Sequence, residues 1–369
     1  MKQKSGSMLS KLFYNAMRLY TKTALWFFFR KWQLHNAANI PKNAALIFVA
    51  NHQNAFQDAI LIACATRHGQ WFLTRAGVFN NKIVRFILNE FHMMPVYRFR
   101  DGVKGLRNND ATIQQCIGVL NDRKSILLFG EGDQGMQYRL RNMQKGFARI
   151  ALAAQEENDW KLPLYIVPVG IQYDHYYNFR SRVLINYGEA IPVDASMRSL
   201  PEREFYDSLL KKTREGLLPL MLHIENENYQ AIEEHIHRHR DKSDLVEQLK
   251  YDQQVADTWP AARSNEPKKS VNYFLLILAL PLHVYVWINN FAPYFLIKGL
   301  LNKYVTREFR GSLKVGFGMV IVPLFYLVQS IVVHAVFSDW RITLAYALTL
   351  PFLSTWSVDL FKFSRGTLL

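Results

Sequence analysis

Two apolar runs near the end of the chain, Val315 to Phe337 and Ile342 to Phe361, constrain the fold more than any other feature. Each is about as long as the roughly 20 residues a helix needs to cross the hydrocarbon core of a bilayer. Asp359, at the end of the second, is the one Asp, Glu, Lys or Arg inside either. A third run, Tyr273 to Ile297, is long enough but holds Pro281, Asn289, Asn290 and Pro293, which suit an uninterrupted lipid-exposed helix poorly. Between the third run and the first, Lys298, Lys303, Arg307, Arg310 and Lys314 outweigh Glu308, the signature of a cytoplasmic segment. A single crossing by 273–297 would put the basic stretch that ends in Lys268 and Lys269 on the other side. The charges therefore predict a re-entrant or interfacial hairpin at 273–297 and two spans at 315–337 and 342–361. Lys362 and Arg365 then stay cytoplasmic, with the rest of the chain on the cytoplasmic face of the membrane.

The other end points to the same surface. Leu9, Leu12, Phe13, Ala16, Met17, Tyr20, Ala24, Phe27 and Phe28 recur at helical spacing, with Lys11, Asn15, Arg18 and Lys22 opposite. This predicts an amphipathic interfacial helix over 8–34, within a segment 1–35. Arg30 and Lys31 follow its most apolar stretch, so it is not read as a cleavable signal. The whole chain carries 45 Lys and Arg against 30 Asp and Glu, a net charge of +15 that calls for an acidic partner. The apolar runs favour anionic lipid headgroups over nucleic acid. Cys64 and Cys116 are too few for a disulfide framework or a four-ligand zinc site.

Between the ends, strand-like runs at 45–50, 71–75, 94–97, 125–129, 164–172 and 183–187 alternate with helical patterns at 110–122 and 146–157. That alternation predicts one α/β domain over 36–224, closed by an amphipathic stretch at 202–223. Residues 225–270 are mainly polar and read as surface helices and a linker.

Chemistry concentrates where the run 45–50 ends, in Asn51, His52, Gln53, Asn54, Ala55, Phe56, Gln57 and Asp58. Histidine at the end of a buried strand lies where α/β sheets place reacting groups. A carboxylate a few residues on can hold its ring in one tautomer and stabilise the imidazolium. Further segments follow in order: Arg98 after Met94-Pro95-Val96-Tyr97, then Phe129-Gly130-Glu131-Gly132, a basic stretch with Arg139, Arg141 and Lys145, and Ile166-Val167-Pro168-Val169-Gly170.

Over about 36–192 this succession resembles the glycerolipid acyltransferase family, which includes the 1-acyl-glycerol-3-phosphate and glycerol-3-phosphate acyltransferases. The resemblance implies an α/β domain with a mixed sheet, in which His52 is the general base and Asp58 orients it. It assigns Arg98 to the acceptor's phosphate, Glu131 and Gly132 to the acceptor site, and Pro168 to the acyl-donor side. Arg141 and Lys145 are further candidate anion contacts. It implies no metal or cofactor beyond an acyl-CoA or acyl-carrier protein co-substrate, and an anionic glycerolipid acceptor. The acceptor expected first is 1-acyl-glycerol-3-phosphate, giving phosphatidate. Glycerol-3-phosphate, another lysolipid and an amino-acid-based lipid are the alternatives.

Three departures stand out. Five residues separate His52 from Asp58 where four are usual, a spacing closer to eukaryotic glycerol-3-phosphate acyltransferases. Gly130 stands for the usual proline, and Asp133 and Gln134 replace Thr-Arg, so Arg139 or Arg141 would have to supply the missing cation. The apolar C-terminal runs are additional to the minimal domain. Among competing readings, Gly130, Gly132 and Gly135 spell a dinucleotide fingerprint, but a basic loop follows them instead of a helix. On a helix His235 and His239 share a face that His237 does not, which reads as a solvated surface and not a metal site. A membrane scaffold without catalysis would explain the apolar tail but not the His-Asp pair.

Overall fold

Ala45–Ala50 is buried along its whole length, the pattern of a strand covered on both faces. The computed structural model describes residues 8–66, 70–96, 103–240, 242–260 and 271–364. In chain order the main elements are α1 (Met8–Phe28), β1 (Phe29–His35), β2 (Ala45–Ala50), α2 (Ala55–Ala65), β3 (Gln70–Arg75), α3 (Lys82–Glu90), β4 (Met93–Val96), α4 (Val103–Asn121) and β5 (Ser125–Phe129). There follow α5 (Gly146–Glu157), β6 (Leu164–Tyr173), β7 (Ser181–Tyr187), β8 (Ile191–Val193), α6 (Glu202–Leu217), α7 (Tyr229–His239) and α8 (Leu245–Asp257). The last elements are α9 (Tyr273–Leu278), α10 (Leu280–Tyr304), α11 (Arg310–Phe337) and α12 (Trp340–Ser364).

The strands form one mixed sheet in the order β1-β7-β6-β2-β5-β3-β4, with β8 also paired to β6. β6 runs antiparallel to β7 and β8, and the other pairs are parallel. The period-two alternation of β2 divides the core. Leu46, Phe48 and Ala50 pack with α1, α2, α7 and α8, and Ala45, Ile47 and Val49 with α4, α5 and α6. From β2 the chain passes through α2 to β3, beyond β5, and from β5 it passes through α5, on the other face, to β6, beyond β2. Such a reversal opens a crevice at the carboxyl ends of β2 and β5.

Several expectations are corrected. The N-terminal helix stops at Phe28, and Phe29–His35 forms an edge strand beside Ser181–Asn186, because Phe29 is worth more buried against the sheet than exposed on a helix. The helix over 202–223 ends at Leu217. The polar region 225–270 is no simple linker: α7 and α8 place Ile232, Ile236, Leu249 and Val255 in the core. Their charged residues follow them in, with buried Arg240 donating to Asp252 at 3.0 Å and to the Tyr138 hydroxyl at 3.2 Å. His235 and His239 do share a face, but a buried one, their rings stacked 4.0 Å apart. Among the described residues no group of three His, Cys, Asp or Glu side chains could hold a metal ion.

α11 and α12 are long and apolar enough to cross a membrane. Where a hairpin was expected at 273–297, the chain forms the short α9 and an unbroken 25-residue α10 that passes through Pro293. Proline removes the bond that the carbonyl of Asn289 would accept, and Gln329 Nε2 of α11 donates to that oxygen instead, at 2.8 Å. Asn290 is likewise satisfied, by Val286 O, Ser354 Oγ and the Tyr326 hydroxyl. The flanks of α9–α10 are tied to neighbouring elements: Asn272 N donates to Ser364 O at the end of α12, and α11 starts against the loop after β2. Asp359 of α12 accepts two bonds from Arg180 Nε and one from its Nη2, and Lys362 donates to the carbonyls of Phe179 and Arg180.

Candidate active site

At the end of β2 the pairing passes from main chain to side chain. Asn51 is buried, its Nδ2 donates to Ile171 O at 3.0 Å, and its Oδ1 accepts from Ile171 N at 2.7 Å. This side-chain pairing extends the β2–β6 ladder by one position and aims His52 out of the sheet. The His52 ring lies flat on Phe129 at the end of β5, with centroids 3.8 Å apart. The chain then turns through Ala55, whose φ of 44° is in the left-handed region that a Cβ disfavours. That turn starts α2 and sends Asp58, in its first turn, back toward the strand end.

Asp58 is the hub of the loop. Its Oδ2 accepts from His52 Nδ1 at 2.9 Å and from the N–H groups of Gln53 and Asn54 at 2.8 Å each. Its Oδ1 accepts from the Tyr173 hydroxyl at 2.6 Å. Burial, with the Asp58 carboxylate beside it, pushes that hydroxyl well above the usual phenol range, so it remains a donor. With Nδ1 donating to a carboxylate, the lone pair of the ring is on Nε2. The His52 side chain is 15% exposed while Asp58 is fully buried, so one end of the pair reaches the crevice.

Glu131 forms the second wall. Its carboxylate accepts from His52 N at 3.2 Å, Arg141 N at 3.0 Å and Arg141 Nη2 at 2.9 Å. The remaining Arg141 bonds go to the carbonyls of Gln134 and Asp133, while its buried Nε has no partner among the described residues. Gly132 has φ of 69°, and a Cβ there would stand 2.8 Å from Gln144 Cγ. The absent side chain at Gly130 leaves room for Met143 and Val49, and Gly135 N donates to His52 O at 3.0 Å. These glycines thus serve to press the loop onto the strand end, and the next helix, α5, begins only at Gly146.

His52, Asp58, Glu131, Gly132 and Arg141 therefore converge. Lys145 and Pro168 do not join them. Lys145 pairs with Asp207 at 3.7 Å and lies over the Tyr206 ring, both on α6. Pro168 packs on the opposite face of the sheet, where a Cβ on Gly216 of α6 would be 2.9 Å from its ring. Arg139 Nε donates to Ile224 O, so of the two candidate replacement cations Arg141 is the one at the site. Arg98 lies outside the described residues. Sequence reasoning gave Asn51 no role of its own and missed Tyr173 and Ser312. The strand expected at 164–172 stopped one residue short of Tyr173, and a tyrosine closing a strand buried at all but one position was the available signal.

Residues 31–172 match the family model described as Acyltransferase. Over 113 residues the chain is 32% identical to glycerol-3-phosphate O-acyltransferase 2 of Saccharomyces cerevisiae, a match that covers 30% of this chain and 15% of the yeast protein's length. A solved structure of the 1-acyl-sn-glycerophosphate (LPA) acyltransferase PlsC from Thermotoga maritima aligns with a TM-score of 0.37 at 18% identity, covering 58% of this chain and 83% of that one. The region that matches the Acyltransferase model holds His52, Asp58, Glu131 and Arg141 as one hydrogen-bonded unit, and over it the chain is similar to glycerolipid acyltransferases.

Proposed function

We infer that this chain transfers a fatty acyl group from a thioester, acyl-CoA or acyl-carrier protein, to a hydroxyl of a phosphorylated glycerol lipid precursor, with 1-acyl-glycerol-3-phosphate as acceptor and phosphatidate as product. The observation that carries the reading is the 2.9 Å pair between His52 Nδ1 and Asp58 Oδ2 at the carboxyl end of β2. Nε2 removes the acceptor's hydroxyl proton as its oxygen attacks the thioester carbonyl. Asp58 stabilises the imidazolium that forms. The tetrahedral adduct collapses with cleavage of the C–S bond, and the imidazolium returns the proton to the departing thiolate. One C–O bond replaces one C–S bond, and the proton passes from hydroxyl to thiol. Direct attack of this kind needs a base, positioning and charge stabilisation. Arg141 Nε and Arg98 are the proposed donors to the acceptor's phosphate, a match of planar guanidinium to phosphate oxygens.

Membrane attachment through α11 and α12, with α1 in the interface, would hold the crevice where a lipid acceptor lies. Met8, Leu12, Phe13, Leu19 and Trp26 of α1 are exposed, which supports that placement. We place the sheet domain on the cytoplasmic face, as the basic residues on 298–314 favour. A second reading, acylation of glycerol-3-phosphate itself, draws support from the five-residue spacing between His52 and Asp58 and from the yeast relative's name. The test is acylation by membranes containing wild type or His52→Ala. Labelled acyl-CoA or acyl-carrier protein is supplied with glycerol-3-phosphate, 1-acyl-glycerol-3-phosphate or lysophospholipids. Acylation of one acceptor that His52→Ala abolishes supports the reading and selects the substrate. Full activity in His52→Ala would refute it.

A further inference from the structure

Asn54 connects the catalytic loop to a distant part of the chain. Its N–H donates to Asp58 Oδ2 at 2.8 Å, its Nδ2 donates to Tyr176 O at 2.9 Å, and its carbonyl accepts from the Ser312 hydroxyl at 2.6 Å. The same Ser312 oxygen accepts from Gln57 N at 3.1 Å. Gln57 N also donates directly to Asn54 O at 3.1 Å, so the hydroxyl braces from α11 a bond that already closes the strained turn at Ala55, between the two members of the dyad. Ser312, Asn54 and Asp58 are fully buried, so water does not substitute for these bonds. Ser312 sits in the first turn of α11, the longer of the two membrane-length helices. Its neighbour Gly311 brings the α11 backbone onto the loop. A Cβ there would collide with Asn54 Oδ1 and stand 2.7 Å from Tyr176 O.

We propose that Ser312 is a positioning residue for acyl transfer, which fixes through Asn54 and Gln57 the loop that sets Asp58 against His52. The proposal rests on the acyltransferase reading above. A left-handed alanine persists only where its surroundings over-determine it, and the Ser312 bridge supplies that constraint from outside the sheet domain. Ser312 touches neither His52 nor Glu131 among its hydrogen bonds, so its loss acts on the alignment of the base and not on acceptor binding.

The test uses the full chain in nanodiscs, as wild type, Ser312→Ala, Ser312→Thr and His52→Ala. The expected result for Ser312→Ala is a kcat lower by about five- to tenfold, the scale of one or two lost hydrogen bonds, with the acceptor KM within about twofold. Ser312→Thr keeps the hydroxyl and should recover most of the rate. A second measurement needs no substrate: the rate at which diethyl pyrocarbonate modifies His52, followed by mass spectrometry. Loosening the loop in Ser312→Ala should raise that rate severalfold, and Ser312→Thr should restore it. A Ser312→Ala enzyme with wild-type kcat and wild-type His52 modification overturns the proposal, as does a lower melting temperature with both quantities unchanged per folded molecule. If the wild type acylates no acceptor, the acyltransferase reading fails by itself, and the modification rates still decide whether Ser312 holds the loop.

Discussion

Replacing Asp58 with asparagine separates charge from geometry at this site. Three donors, His52 Nδ1 and the N–H groups of Gln53 and Asn54, point at Oδ2. Two of them are main-chain groups that cannot turn away, so the amide oxygen is forced into that position. The NH2 group then faces the Tyr173 hydroxyl, which can rotate to accept. His52 keeps its tautomer and orientation and loses the negative charge that stabilises its protonated form in the transition state. A hydrogen bond to a charged partner is worth about 1.5–3 kcal/mol, so kcat should fall roughly ten- to hundredfold. Asp58→Ala differs in kind, because it leaves all four donors without an acceptor in a buried loop. At about 1 kcal/mol each, that approaches the lower end of the 5–15 kcal/mol that holds a domain together. The assay pairs initial acylation rates with thermal melts of the same preparations. Asp58→Asn should melt within a few degrees of wild type, and Asp58→Ala far below it. An Asp58→Asn enzyme with wild-type kcat, or one that melts as low as Asp58→Ala, would refute the argument.

Three further outcomes are expected. Tyr173→Phe removes the donor to Asp58 Oδ1 and should lower stability by about 1–3 kcal/mol, read from chemical denaturation, with a smaller loss of rate than Asp58→Asn. Glu131→Gln breaks an ion pair whose carboxylate side chain is 2% exposed and leaves the Arg141 charge uncompensated. It should destabilise by about 3 kcal/mol and raise the acceptor KM, and unchanged values of both would count against the second wall. Burial, reinforced by His237 and Arg240, holds the His175 imidazole down to about 3, while the unfolded chain binds that proton below about 6.5. The native state is thus fully favoured above about pH 6.5 and loses stability as pH falls toward about 3. His175→Phe should flatten that decline in the denaturation midpoint, and a slope identical to wild type would show that another group causes it.

The sheet's centre was legible in the sequence because β2 is buried at every position and β5 and β6 at most of theirs, so that all three read as mainly apolar runs. The motif at their ends was legible because His52 and Asp58 are local in sequence. What stayed hidden has physical reasons. Phe29–His35 continues the aromatic run of α1, and only the open edge of β7 makes it a strand. α7 and α8 look like a solvated linker because of charged residues such as Arg240, just after α7, and Asp252 of α8, which pair inside the core. The asparagines and proline of α10 read as helix breakers until Gln329, Tyr326 and Ser354 on neighbouring helices are seen to satisfy the groups they expose. Pro168 followed the family's block order, which does not say which face of the sheet a side chain takes, and Lys145 was expected only as a further anion contact from its place in a basic stretch.

The bond between Ser312 and Asn54 joins residues 258 positions apart, and it has a consequence for the order of synthesis. At roughly 5–20 residues per second, β2 and the His52 loop leave the ribosome well before α11 is made. During that interval β1 also lacks its partner β7, and the turn at Ala55 lacks the hydroxyl that bridges it. The sheet can collapse early, but the loop reaches its final set of bonds only after the first turn of α11 has emerged. Completion of the dyad's surroundings is thereby deferred to the stage of biogenesis at which the apolar helices find their place.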